Sequence, residues 1–104
     1  MRRRGRSYAH PLVVLIALPN NEGEVRIGVS AGRSVGNAVW RNRAKRRIRA
    51  IVAPLLPNLK SGWDVVFLAR RPISSATHLE LAQAIYQLFQ RAHLLSKPQS
   101  HVLA

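Results

Sequence analysis

The sequence contains no cysteine. It therefore has no disulfide framework, no thiolate zinc site and no cysteine nucleophile, which excludes an extracellular disulfide scaffold and fits a reducing cytoplasm. Negative charge is scarce too: 4 Asp and Glu stand against 17 Lys and Arg in 104 residues, a formal net charge of +13. That imbalance points to a polyanionic partner. Long apolar runs are also missing. The most apolar stretch, residues 12–18, is bracketed by Pro11 and Pro19 and falls far short of the roughly 20 residues a membrane-spanning helix needs. Arg2, Arg3, Arg4 and Arg6 precede it, yet no small-x-small cleavage site follows, so it makes a poor signal peptide and a good buried strand.

What remains is enough for a folded unit. At 47% hydrophobic residues, a chain of this length buries roughly two-thirds of its unfolded surface. We expect one αβ domain over residues 1–95 and a flexible tail over 96–104. Residues 12–18 and 24–30 read as strands separated by the turn cluster Pro19, Asn20, Asn21, Glu22 and Gly23, which suggests an antiparallel hairpin. Alternation puts Val25, Ile27 and Val29 on one face of the second strand and Arg26, Gly28 and Ser30 on the other, leaving a wet face for binding. From Asn37, a candidate N-cap, the period turns helical, with Trp40, Ala44, Ile48, Ile51, Val52 and Leu55 as its apolar stripe and an end just before Pro54. Residues 63–69 read as a third, more central strand. A last helix, capped from Ser74, Ser75 or Thr77, runs to about Ala92 with Leu79, Ala82, Ile85, Leu88, Phe89 and Ala92 facing inward. The fold class is α+β, two helices on a small mixed sheet.

The first helix carries the information. Between Arg26 and Trp63 there is no acidic residue, while Arg33, Arg41, Arg43, Lys45, Arg46, Arg47 and Arg49 fall in that window. At about 100° per residue the cations sweep around everything but the apolar stripe. Like charges at i±3 and i±4 destabilise an isolated helix by a few tenths of a kcal/mol per pair. Solubility needs a net charge of only about 2 to 8 with both signs interspersed, so this one-signed surface makes sense against phosphates. Arginine outnumbers lysine, as suits forked phosphate contacts. A helix-turn-helix is excluded because strands, not a second helix, flank the segment.

The stretch from Gly28 to Arg49, with Val35-Gly36-Asn37-Ala38-Val39 followed by Arg41-Asn42-Arg43 and Lys45-Arg46, closely resembles the signature of the bacterial ribonuclease P protein subunit, Val-Gly-(Asn/Lys)-Ala-Val-x-Arg-Asn-Arg-x-Lys-Arg. The resemblance spans roughly residues 5 to 95. It implies a ribosomal-protein-like αβ sandwich with a left-handed crossover between parallel strands. It also implies a small protein that assists a catalytic RNA subunit in the magnesium-dependent endonucleolytic removal of the 5′ leader from precursor tRNA. The RNA performs the chemistry and binds most of the Mg2+. By motif position, the resemblance implies that Arg33, Arg41, Asn42, Arg43, Lys45, Arg46, Arg47 and Arg49 contact the RNA subunit. Arg6, Tyr8, His10, Arg26 and Ser30 are the candidates for the leader. The protein subunit is expected to be monomeric, cytoplasmic and free of membranes. The sequence departs from the family in two ways. The family's N-terminal helix, one wall of its leader cleft, is not evident here: either the start lies downstream of the true one, or leader binding relies on Tyr8, His10 and the sheet. Ser34 also stands where the family has lysine, with Arg33 beside it.

The chain's own acids and bases do not suggest catalysis. His10, His78, His93 and His101 share no local face, and Glu22, Glu24, Asp64 and Glu80 lie at a turn, a strand start and a helix start. Of the aromatics, Trp40 is expected in the core and Trp63 is undecided, while Tyr8 is the better partner for stacking on a base. Arg70 and Arg71 are evenly balanced between a phosphate contact and a strand-end cap. The rival readings are a ribosomal or general RNA-binding protein and a membrane-surface helix, the latter disfavoured because the helix lacks a large Trp/Phe/Leu insertion face.

Overall fold

Alternation along the strands decides which face of the sheet is covered. The computed structural model describes residues 5–96, and its elements run β1 (Arg6–Ala9), β2 (Val13–Pro19), β3 (Val25–Ala31), α1 (Ala38–Val52), β4 (Trp63–Ala69) and α2 (His78–Arg91), with short 3-10 segments between them. In β2, Val13, Leu15 and Ala17 are buried, and in β4 Val65, Phe67 and Ala69. These residues share register positions, so they form one inner face against which α1 and α2 pack. The intervening Val14, Ile16, Val66 and Leu68 stand half-buried on the opposite, open face. The class is α+β, as expected. Among the described residues no helix is long and apolar enough to cross a membrane.

The expected hairpin is not formed. The sheet order is β1-β2-β4-β3, with β4 antiparallel to β2 and parallel to β3. β4 has apolar side chains on both faces, so pairing on both of its edges shields more of it than an edge position does. The loops before and after enforce the insertion: the Asn20 amide donates to the Gly62 carbonyl at 2.8 Å, and the Gly62 amide donates to the Glu24 carbonyl at 2.9 Å. Gly62 has φ +89, which an L side chain rarely adopts. α1 is the crossover between the parallel strands β3 and β4. The N-terminal strand β1, too short and polar to announce itself, pairs with β2.

Both helix caps are visible in the sequence. Asn37 Oδ1 accepts from the Trp40 amide at 3.2 Å. Thr77 forms a full capping box, its hydroxyl accepting from the Glu80 amide at 3.1 Å while Glu80 accepts from the Thr77 amide at 2.8 Å. The inward stripe of α2 is Leu81, Ala84, Ile85, Leu88 and Phe89. Leu79, expected inside, is 65% exposed, because it lies about 120° around the helix from Ile85, off the face that Leu81, Ile85, Leu88 and Phe89 present. Leu94, near the end of the expected domain, is buried, and Ser96, the first residue of the expected tail, donates from its amide to the Asn58 carbonyl at 2.7 Å. Residues 97–104 of the expected tail, including His101, and the arginines Arg2, Arg3 and Arg4 lie outside the described residues.

Candidate nucleic-acid interface

The basic helix is positioned from beneath. Ala44, Ile48 and Val52 are its buried residues, and their spacing of four puts them on one line along the axis. Asn42, Arg43, Arg46 and Arg49 are exposed, with Arg41 and Lys45 half-buried. Arg33 sits exposed in the 3-10 turn Arg33–Val35 that leads into the helix, pinned by the buried Val35. Among the described residues the sole ion pair is Arg26 with Asp64, so no carboxylate neutralises α1.

Two side chains of this helix depart from expectation. Arg47 does not face solvent freely: its two terminal nitrogens donate to the Ile73 carbonyl at 2.9 Å and the Ala76 carbonyl at 2.7 Å. It clamps α1 to the segment between β4 and α2. The fork of a guanidinium suits two carbonyls of one short turn. Arg43, Arg46, Arg47, Ser74 and Ala76 together line a shallow basic recess. Trp40, expected in the core, is 42% exposed, with the Arg43 guanidinium carbon 5.4 Å from its ring centroid. It lies about 80° around the helix from Ile48, at the margin of the line that Ala44, Ile48 and Val52 bury.

The residues expected to hold the leader do not share one surface. Tyr8 is level with Leu15, and Arg6 with Ala17; both partners are inner-face residues, so Arg6 and Tyr8 belong to the helix side of edge strand β1. The Tyr8 ring lies 5.7 Å from the Arg91 guanidinium carbon, and Arg91 donates to the Ala9 carbonyl at 2.9 Å. Tyr8 is thereby a packing partner of α2, not a free stacking ring. His10 Nδ1 accepts from the Leu12 amide at 3.1 Å, which commits it to the β1–β2 turn. Arg26 and Ser30 stand on the open face of β3, at the far edge of the sheet. Arg26 is engaged: it donates to both Asp64 oxygens at 2.7 and 2.9 Å. That contact, followed by a hydrogen bond from Asn20, holds the Asp64 carboxyl below its ordinary pKa. Trp63 is half-buried against the core. Arg70 reaches back to the His10 carbonyl at 3.5 Å, which fits the strand-end cap.

The family model for ribonuclease P matches residues 1–93 of this sequence. This chain belongs to the ribonuclease P protein family. The ribonuclease P protein component of Symbiobacterium thermophilum is 41% identical to it over 95 residues, covering 90% of this chain and 83% of that protein. That of Herpetosiphon aurantiacus is 37% identical over 94 residues, covering 90% and 76%. The solved RNase P protein of Staphylococcus aureus superposes with a TM-score of 0.78 at 28% identity, covering 88% of this chain and 84% of that one. The protein from Thermotoga maritima, at 24% identity and a TM-score of 0.75 over 84% of this chain and 83% of its own, shares the fold.

Asp64 is spent on Arg26 and Asn20, and Glu80 on its capping box. Among the described residues no three His, Asp or Glu side chains come together as a metal site.

Proposed function

We propose that this chain is the protein subunit of ribonuclease P, laying α1 on the catalytic RNA subunit and assisting magnesium-dependent removal of the 5′ leader from precursor tRNA. The observation that carries the reading is the cationic ridge of Arg41, Arg43, Lys45, Arg46 and Arg49, unpaired with any carboxylate and fixed by a packed stripe, within a family-defining motif. A rigid ridge loses little side-chain and backbone freedom on binding, so more of each phosphate contact survives as affinity. Asn42 adds an amide to the same surface, and Arg33 extends it toward the turn before the helix.

For the leader, the open sheet face is the surface this reading favours, with Ser30 and Arg26 on it and half-buried Val14, Ile16, Val66 and Leu68 beside them. Arg6 and Tyr8 lie on the opposite, helix side of β1 and His10 is engaged in the β1–β2 turn, so this reading rests on Arg26 and Ser30 instead. The RNA supplies the metal and the hydrolytic chemistry; the protein supplies position and charge. This fits a monomeric, cytoplasmic subunit.

The test is cleavage of a precursor tRNA bearing a 5′ leader, by the RNA subunit at low magnesium, with and without this chain. The chain is expected to restore cleavage. Unchanged cleavage together with binding to ribosomal RNA overturns the reading.

A further inference from the structure

An exposed indole on a helix is costly, since burying apolar surface is worth about 25 cal/mol per Å². Trp40 nevertheless leaves 42% of its surface open, next to Val39 at 70%. The ring is held in place. Asn37 fixes the Trp40 amide, and Gly36, at φ +134, lets the indole lie against the backbone of the turn before it: a Cβ at Gly36 would meet Trp40 Cβ, Cδ1 and Cγ at 3.1 to 3.3 Å. Arg43, one turn on, brings its guanidinium to the ring at a distance where cation–π attraction acts.

We propose that Trp40 is a stacking platform for one unpaired nucleobase of the RNA that the α1 cations grip. This deepens the functional reading above and rests on it. Charge selects the occupant. Arg43 lies at the Trp40 ring, Arg41 follows Trp40 in sequence, and no acid falls between Arg26 and Trp63, so a nucleotide satisfies ring and cations together. A protein seated on the ring has to desolvate those guanidinium groups, and one indole with one valine is far smaller than the roughly 800 Å² per partner of a stable protein interface. Bases meet the requirement because every base has a π-face.

The experiment uses the full chain with Trp63→Phe, leaving Trp40 as the reporter, and a ribonuclease P RNA transcript as the probe. Titration is expected to quench Trp40 fluorescence at stoichiometric RNA. Trp40→Ala is expected to weaken binding about 5- to 150-fold, the range for one stacked base, and Trp40→Phe to recover most of the loss while Trp40→Leu does not. The log–log salt slope stays unchanged in all three, because no charge is removed. Far-UV circular dichroism confirms that each variant is folded. Equal binding by Trp40→Ala, or Leu matching Phe, overturns the proposal while leaving the functional reading intact. Fluorescence that changes with protein concentration alone assigns the ring to self-association and also overturns it. Failure of the unmodified chain to bind the transcript overturns the functional reading itself, and this proposal with it.

Discussion

Arg47 on α1 donates to the Ala76 carbonyl, 29 residues away in sequence, at 2.7 Å. With the second bond to Ile73, this divides the basic helix into two kinds of arginine. One sets the angle of the helix against the segment between β4 and α2. The others are left to meet an anion.

Arg47→Ala should therefore destabilise the fold by about 1–3 kcal/mol, the range for losing hydrogen bonds to a charged group. Arg43→Ala and Arg46→Ala should stay within about 0.5 kcal/mol, as surface substitutions do. Urea denaturation of the three variants measures this. Equal midpoints for Arg47→Ala and the unmodified chain contradict the clamp.

RNA binding should follow the same division. Five free cations, Arg41, Arg43, Lys45, Arg46 and Arg49, give a log–log salt slope of roughly −3.5 to −4.5, at about 0.7 to 0.9 per phosphate contact. Removing Arg43 or Arg46 should reduce it by about one contact, whereas removing Arg47 should leave it unchanged. Filter binding across a salt series reads the slopes, and a slope near zero refutes the electrostatic ridge.

The pairing of Arg26 with Asp64 makes stability depend on acid. Arg26, then Asn20, lowers the Asp64 pKa in the folded state, so the contribution is fully present above the unfolded carboxylate value of about 3.9. It is lost as pH falls through the lower folded value. Carboxyl-carbon NMR should show Asp64 titrating below the ordinary aspartate value of about 3.9, and Asp64→Asn should abolish this part of the acid dependence. A normal Asp64 titration removes the claim.

Phe67 and Phe89 meet edge to face, with ring centroids 5.5 Å apart and planes at 90°, and neither is exposed. They join β4 to α2 across the layer. Phe89→Ala should cost about 3–5 kcal/mol, a large share of the 5–15 kcal/mol typical of a domain. Thermal or urea unfolding checks it, and a loss under about 1 kcal/mol would mean that the helix is not packed as described.

Much of this was legible because local rules operate locally. Asn37 and Thr77 cap the helices their chemistry announces, and α1 ends before Pro54. The strands of residues 12–18 and 63–69 match their apolar patterns closely. The hairpin was misread because alternation reports which side of a strand is apolar and says nothing about which neighbour its edge finds. Trp40 and Leu79 stay outside because each lies well around its helix from the buried line, about 80° from Ile48 and about 120° from Ile85, and an apolar residue type does not say which side of a helix meets the sheet. Tyr8 and Ser30 are both leader candidates by resemblance, although their register puts them on opposite faces of the sheet.

By itself the sequence determined the class of fold, the acid-free basic helix and the family, since these follow from short-range periodicity, net charge and a contiguous motif. Only the tertiary structure decided that β4 separates β2 from β3, that Arg47 turns inward to two carbonyls, and that Trp40 stays at the surface. Those outcomes depend on contacts between segments tens of residues apart, where the burial of one strand fixes what its neighbours can reach.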